Sequence, residues 1–193
     1  MTTETIDTVR EGTLWREAPP YFDDLAVGDS MESSGRTVTE YDVVSFAALT
    51  GDWHPQHADA AWAAESAFGR RIAHGMLVLS YALGLLPIDP RVVLALRSID
   101  GAVLKRPVGL GDTIRVRARL ADKRAIGAEA GLVTLAVRIV NQADELVARM
   151  EIVVLWRREP EGTDGQSAPA SGTAAGSTSE DELSPLQDGR LLA

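Results

Sequence analysis

The 193-residue sequence contains no cysteine. This absence excludes disulfide bonds, thiol nucleophiles and thiolate metal sites, and it is typical of a reducing compartment. The sequence also has no long hydrophobic run, because the most apolar stretch, residues 76–86, is shorter than the about 20 residues that a membrane-spanning helix needs. Residues 1–7 lack the basic region and the apolar segment of a secretory signal. We therefore expect a cytoplasmic protein with no membrane partner.

Positive charge is also scarce. The chain has 28 acidic and 19 basic side chains, which give a formal net charge of −9. Seven acidic residues and one basic residue lie in residues 159–193, so this segment carries −6 and residues 1–158 carry −3. The basic patch of a nucleic-acid-binding protein is missing, and we expect no nucleic-acid partner.

Composition divides the chain into three parts. Residues 1–19 show little hydrophobic periodicity and end within a pair of prolines, which predicts a flexible arm. Residues 159–193 consist mainly of Gly, Ser, Ala, Thr, Pro and acidic residues. That composition cannot build a core and predicts a disordered acidic tail. Residues 20–158 are then a single domain without internal repeats.

The first half of this domain predicts one weak strand and three helices. Residues 30–38 form the strand, with Gly35 as a possible bulge. A helix over residues 39–50 begins at a capping box and ends at a glycine. A short alanine-rich helix covers residues 59–67. Residues 75–86 are apolar on every side, which predicts a buried helix that ends at the following proline.

The second half of the domain changes to a period of two. Strands are predicted over residues 92–104, 113–120, 131–140 and 146–156, and short polar turns join them. Consecutive strands with tight turns favour an antiparallel meander. The fold class is therefore α+β, with an antiparallel sheet wrapped around one long central helix.

An acid and a base lie close together in the segment that precedes the buried helix. Asp52 and His57 are five residues apart, between Gly51 and the apolar helix, and Pro55 lies between them. Because proline removes a backbone donor and restricts the residue before it, we expect this segment not to be regular helix. All three histidines of the chain lie between residues 54 and 74. A carboxylate and an imidazole beside a buried helix are typical of acid–base chemistry on a carbonyl compound.

Gly75 begins the buried helix and has two interpretations. Glycine at this position allows close packing of the helix. Alternatively, its free N–H lies at the positive end of the helix dipole and would stabilise a developing oxyanion.

Other side chains in the region suggest further ligands. Asp52, His54, His57 and His74 carry atoms that zinc accepts, but their spacing differs from the helical i, i+4 pattern of zinc hydrolases, and we expect no metal. Solvated surface charge and phosphate binding are both open interpretations for a group of four basic residues: Arg70, Arg71, Lys105 and Arg106.

The sequence resembles the MaoC-like (R)-specific enoyl-CoA hydratase family. The resemblance covers about residues 20–157 and is carried by two motifs: Gly51-Asp-Trp-His-Pro-Gln-His57 and Ile72-Ala-His-Gly-Met76. It implies a hot-dog fold, usually dimeric, in which Asp52 and His57 activate one water and the Gly75 amide binds the thioester oxygen. It implies an acyl-CoA or acyl-carrier-protein thioester substrate and no cofactor. We expect five neighbouring residues to contact the substrate: Trp53, His54, Arg71, His74 and Met76.

The sequence departs from the family motif at two positions. The family has asparagine where this chain has His54, and usually an aliphatic residue where it has Gln56. Residues 75–86 contain no Asp or Glu, whereas hot-dog thioesterases usually place a catalytic carboxylate on or facing this helix. The sequence thus favours a hydro-lyase. Two alternatives stay open: a non-catalytic thioester-binding subunit that needs a partner, and a biosynthetic dehydratase acting on a carrier-bound intermediate.

Overall fold

Short helices form the first part of the domain, and their ends follow local sequence signals. The computed structural model describes residues 20–86 and 89–160. After a 3₁₀ turn at Phe22–Asp24, helix α1 spans Glu40–Thr50, α2 Pro55–Ala58, α3 Ala60–Glu65 and α4 Gly75–Gly84. Thr39 and Asp42 form the predicted capping box of α1, and Gly51 ends it with a left-handed φ of 78°. The predicted arm at 1–19 and nearly all of the tail at 159–193 lie outside the described residues, so these two boundaries stay predictions.

One antiparallel sheet contains the strands of the described residues, from both parts of the domain. Its strands are β1 (Ser30–Glu32), β2 (Arg36–Thr37), β3 (Val93–Leu104), β4 (Thr113–Ala125), β5 (Ala130–Val140) and β6 (Leu146–Arg157). The order across the sheet is β1-β4-β5-β6-β3, and β2 also pairs with β4. The strand predicted over residues 30–38 is present as two short pieces, because the step from Glu32 to Arg36 is one residue longer than the step from Arg117 to Ile114 on β4, as at a bulge.

Helix α4 packs against the sheet and forms the centre of the core. Its buried residues Leu77, Val78, Leu79 and Ala82 belong to one apolar cluster with the inward-facing residues of β4, β5 and β6. In β4 those residues alternate as predicted: Ile114, Val116, Ala118 and Leu120. The expected α+β hot-dog arrangement, a sheet wrapped around one helix, is confirmed.

Two features of α4 differ from the prediction. The helix ends at Gly84 instead of residue 86. It is also not buried on all sides, because Met76 is 60% exposed and Ser80 is exposed one turn later. The sheet covers only one side of the helix, so the other side of this apolar helix stays exposed in the single chain.

Within the two described ranges, the longest helices have ten or eleven residues, and none is long and apolar enough to cross a bilayer.

Candidate active site

The loop after α1 turns directly into α2, and this turn positions His57. The His54 side chain accepts a hydrogen bond from the Gln56 amide through Nδ1 at 3.2 Å and so caps α2. Pro55 takes the first helical position, where its missing N–H costs no hydrogen bond. The expectation that this segment cannot be helical is therefore wrong for His57, which lies in the helical turn. The capping bond also gives His54 a definite structural role at the position where the family has asparagine.

His57 is buried, and one of its ring nitrogens is fixed by the backbone. The side chain is 4% exposed, and Nδ1 lies 2.7 Å from the Ile72 carbonyl oxygen. Because a carbonyl can only accept, Nδ1 carries the proton and the neutral ring has its lone pair on Nε2. Nε2 is therefore the atom that can act as a base.

Asp52 is held next to His57 by two contacts with the histidines of the region. The backbone carbonyl of Asp52 accepts a hydrogen bond from Nε2 of buried His74 at 2.9 Å. Its Oδ1 accepts one from the His54 amide at 3.3 Å. A carboxylate oxygen of Asp52 and ring nitrogens of His57 and His74 all lie within 4.8 Å of one another. This spacing is suited to one water held between the carboxylate and the imidazole.

His74 stacks on His57, and the stacking disfavours a shared metal ion. The ring centroids are 3.8 Å apart and the planes differ by 26°. Nitrogen lone pairs lie in the ring planes, so the lone pairs of two stacked rings lie in separate, nearly parallel planes. They cannot converge on one zinc ion at about 2.0–2.1 Å from each nitrogen. The donor set at Asp52, His57 and His74 therefore fits a metal poorly, and the expectation of a metal-free site stays a prediction.

Gly75 begins α4 immediately beside this pair. His74 precedes it as the N-cap without a side-chain capping bond. No acceptor for the Gly75 N–H occurs within residues 20–86 and 89–160. The two interpretations of this glycine are compatible, because a Cβ at Gly75 would overlap Leu104 Cδ1. Gly75 therefore packs closely against β3, and its N–H is at the same time a free donor at the positive end of α4.

A cavity of about 630 Å³ connects these groups. Its polar lining includes Asp52, His57, His74 and Gly75, and two basic side chains, Lys105 and Arg106. The rest of the wall is mostly apolar and includes Phe46, Phe68, Ile72, Met76, Val78, Leu104, Val108 and Val147. An apolar chamber with a few convergent polar groups is typical of a small-molecule site.

The expected substrate contacts divide into two groups. His74 and Met76 line the cavity, whereas Trp53, His54 and Arg71 do not. Trp53 is 52% exposed. The Arg71 guanidinium pairs with Glu40 at 2.7 Å instead of facing the cavity.

The four basic residues considered for phosphate binding also separate. Arg70 pairs with Asp112 at 2.8 Å, and Arg71 with Glu40, so both are committed to holding the fold. Lys105 and Arg106 lie at the cavity wall and are exposed. Arg106 also pairs with Glu145 at 3.5 Å and donates to the Leu146 carbonyl at 3.0 Å. Lys105 is therefore the basic side chain of the four best placed for a phosphate-bearing substrate.

Sequence reasoning treated Gln56 only as a departure from the family motif. Its side-chain Nε2 lies 3.2 Å from His57 Nε2, and it lines the cavity. The signal that could have found this contact is the position of Gln56 directly before His57, because both side chains start from the same helical turn.

The pH dependence of any reaction that uses His57 as a base follows from its surroundings. Burial lowers the pKa of His57, and the nearby His74 and His54 lower it further, while the hydrogen bond to Ile72 and the charge of Asp52 oppose the shift. Neutral His57 is the active form, so we expect kcat/KM to fall tenfold per pH unit on the acid side, with a midpoint below about 6.5. A pH–rate profile with its acid midpoint above that value would contradict this placement.

The same shift predicts a linked loss of stability. Between the folded and unfolded pKa of His57 the unfolded state binds more protons, so this contribution is complete above about pH 6.5 and is lost as pH falls through the folded value.

The chain matches a family model and several known proteins. A model of the MaoC-like domain matches residues 24–151. The 3-hydroxybutyryl-CoA dehydratase of Methylorubrum extorquens is 34% identical over 148 residues, which span 67% of this chain and 92% of that protein. Protein MaoC of Klebsiella aerogenes is 43% identical over 98 residues, but the chain spans only 29% of its length.

A solved structure agrees with these sequence matches. The unliganded R-hydratase PhaJ1 from Pseudomonas aeruginosa is 29% identical, with a TM-score of 0.62 over 80% of this chain and 96% of that one. These matches confirm the expectation of a hydro-lyase with a hot-dog fold. Because the family model matches most of the domain and a dehydratase matched over 92% of its length is 34% identical, the chain belongs to the MaoC-like dehydratase family.

Proposed function

We propose that this protein catalyses the reversible hydration of trans-2-enoyl thioesters to (R)-3-hydroxyacyl thioesters. The acyl carrier is coenzyme A or an acyl-carrier protein. The observation that carries the proposal is the convergence of Asp52, His57 and the uncommitted Gly75 amide on one largely apolar cavity. Relatives named as a dehydratase and an R-hydratase support the same reaction.

Each group has one task in the proposed reaction. A water between Asp52 and His57 gives a proton to His57 Nε2 while its oxygen bonds to C3 of the substrate. The π electrons of the double bond move to the thioester oxygen, where the Gly75 N–H stabilises the enolate. C2 then takes a proton from the Asp52–His57 pair. The sum adds OH to C3 and H to C2, and it consumes no cofactor.

His74 supports this arrangement by contacting both members of the pair. Its Nε2 donates to the Asp52 backbone, and its Nδ1 is buried with no hydrogen-bond partner among the described residues. A buried acceptor without a partner costs about 1–3 kcal/mol. We propose that Nδ1 faces the same water and helps to orient it.

The test is turnover of enoyl thioesters by the purified chain. Short, medium-length and branched trans-2-enoyl-CoA compounds would be added, and the loss of the enoyl absorbance would be followed. Hydration of at least one class is expected. Inactivity toward every compound, and toward the corresponding carrier-protein thioesters, would overturn the proposal.

We also propose that the chain forms a homodimer through β3. This strand pairs only with β6 among the described strands, so its other edge has free backbone groups. Both of its faces are largely exposed, and it carries four exposed apolar side chains: Leu94, Leu96, Ile99 and Leu104. Apolar side chains on an unpaired edge are typical of a surface covered by another chain.

A charge on this edge should prevent the dimer from forming. Leu96 is 48% exposed, so Leu96→Asp should leave the fold intact and halve the mass measured by sedimentation. Leu49 on α1 is 82% exposed and lies outside the sheet, which makes Leu49→Asp the matched control that stays dimeric. A monomeric wild type, or a dimeric Leu96→Asp variant, would refute this interface.

A further inference from the structure

Gln56 contacts the base at Nε2, the ring nitrogen that carries the lone pair. Its backbone is fixed on both sides, because its N–H donates to His54 Nδ1 at 3.2 Å and its carbonyl accepts from the Ile72 amide at 3.1 Å. The side chain therefore starts from a defined point and reaches into the cavity. The usual aliphatic residue at this position would have no polar group to offer there.

The direction of the contact between Gln56 and His57 follows from the tautomer of His57. The two side-chain Nε2 atoms are 3.2 Å apart. Since Nδ1 of His57 donates to the Ile72 carbonyl, the neutral ring has a lone pair on Nε2. The Gln56 amide must then be the donor. A protonated ring in this arrangement would present an N–H to an NH₂ group, which also can only donate.

We propose that Gln56 is a positioning residue for the base, whose amide occupies His57 Nε2 in the resting state, holds the imidazole neutral and yields to water when substrate enters. The proposal rests on the proposed function for its kinetic meaning, but the contact itself is independent of turnover. It assigns a function to the second departure from the family motif. It also gives a cause for the neutrality of His57 that does not depend on burial.

The other groups that affect His57 are charged or titratable, and a substitution at Gln56 leaves them unchanged. Asp52, His54 and His74 act on it from the loop and from the start of α4. Lys105 and Arg106 also line the cavity. Gln56→Leu has nearly the same size, removes only the amide and leaves all five groups in place. Its effect on His57 therefore reports the hydrogen bond.

The experiment is a histidine titration of the ¹⁵N-labelled protein by NMR. The chain has only three histidines, and the signals of His57 are identified by their loss in His57→Gln. A net hydrogen bond of ordinary strength corresponds to a rise of about half to one pH unit in the His57 midpoint for Gln56→Leu. Gln56→Glu should raise the midpoint further, because a carboxylate accepts from the imidazolium and attracts its charge.

Gln142→Leu is the matched control, since Gln142 bonds to Asp112 and Thr113 away from the cavity and should leave the His57 midpoint unchanged. An unchanged or lowered midpoint in Gln56→Leu would overturn the proposal, because the amide would then follow the proton or make no contact. If the enzyme turns over enoyl thioesters, the acid limb of kcat/KM should shift with the NMR midpoint. A shifted midpoint in a protein without turnover would reject the proposed function and leave the contact standing.

Discussion

Replacing either member of the acid–base pair should abolish most hydration activity. For Asp52→Asn and His57→Gln we expect kcat/KM to fall by about 10²–10⁴-fold, the range typical of a positioned general acid or base. Each change removes proton transfer while preserving the size of the side chain. The measurement is steady-state hydration of the best enoyl thioester, with thermal unfolding to verify that each variant is folded.

The double variant tests whether the two residues share one water. If they do, Asp52→Asn with His57→Gln should be little worse than the more damaging single change, because the first loss already disables the unit. Asp59→Asn is the matched control: Asp59 caps α3 through Trp62 N–H at 3.0 Å, and asparagine caps equally well. Multiplicative losses in the double variant would show that the residues act separately.

Removing the amide at Gly75 should lower kcat by about 10²–10³-fold, which corresponds to about 2.7–4 kcal/mol. A direct replacement is ambiguous, because any Cβ there meets Leu104. We therefore compare Gly75→Ala with Gly75→Pro in a Leu104→Ala background. Alanine keeps the N–H and proline removes it, while the shortened residue 104 makes room for both.

The backbone accepts proline at this position. Gly75 is the first residue of α4, where proline is favoured. His74 has φ −59° and ψ 137°, a conformation compatible with a following proline. Equal kcat values for the alanine and proline variants would exclude the amide as the oxyanion donor and leave Gly75 only its packing role against β3.

Local signals predicted much of this structure because they act over a few residues. Thr39, Asp42 and Gly51 marked both ends of α1, and the alternation of β4 identified its buried face. In each case the chain provides the partner for its own backbone within one turn or one strand. Gly75 likewise marked the start of α4.

The rest of the site depends on contacts that the local pattern does not contain. Pro55 was interpreted as excluding a helix, yet at a first helical position it begins one and brings His57 inward. The bonds that fix the pair run from His57 to Ile72 and from His74 to Asp52, 15 and 22 residues apart. Their formation depends on how α4 and the loops pack together.

The apolar residues of α4 and β3 show a second limit. Hydrophobicity alone predicted that α4 is buried on all sides, but Met76 is exposed, as are Leu96 and Ile99 on β3. An apolar pattern predicts that a surface is covered, but it does not predict whether the same chain or another chain covers it. The proposed dimer is the simplest cover for the β3 edge.

The stereochemistry of the product tests the central claim most directly. With the thioester oxygen held at Gly75 and water delivered only from the side of Asp52 and His57, attack on C3 occurs on one face of the double bond. Attack on one face gives a single enantiomer, and the proposed reaction makes it the (R)-3-hydroxy product, which chiral chromatography of the acid released after hydration of crotonyl-CoA should find alone. A racemic or (S) product, or none, would contradict the account.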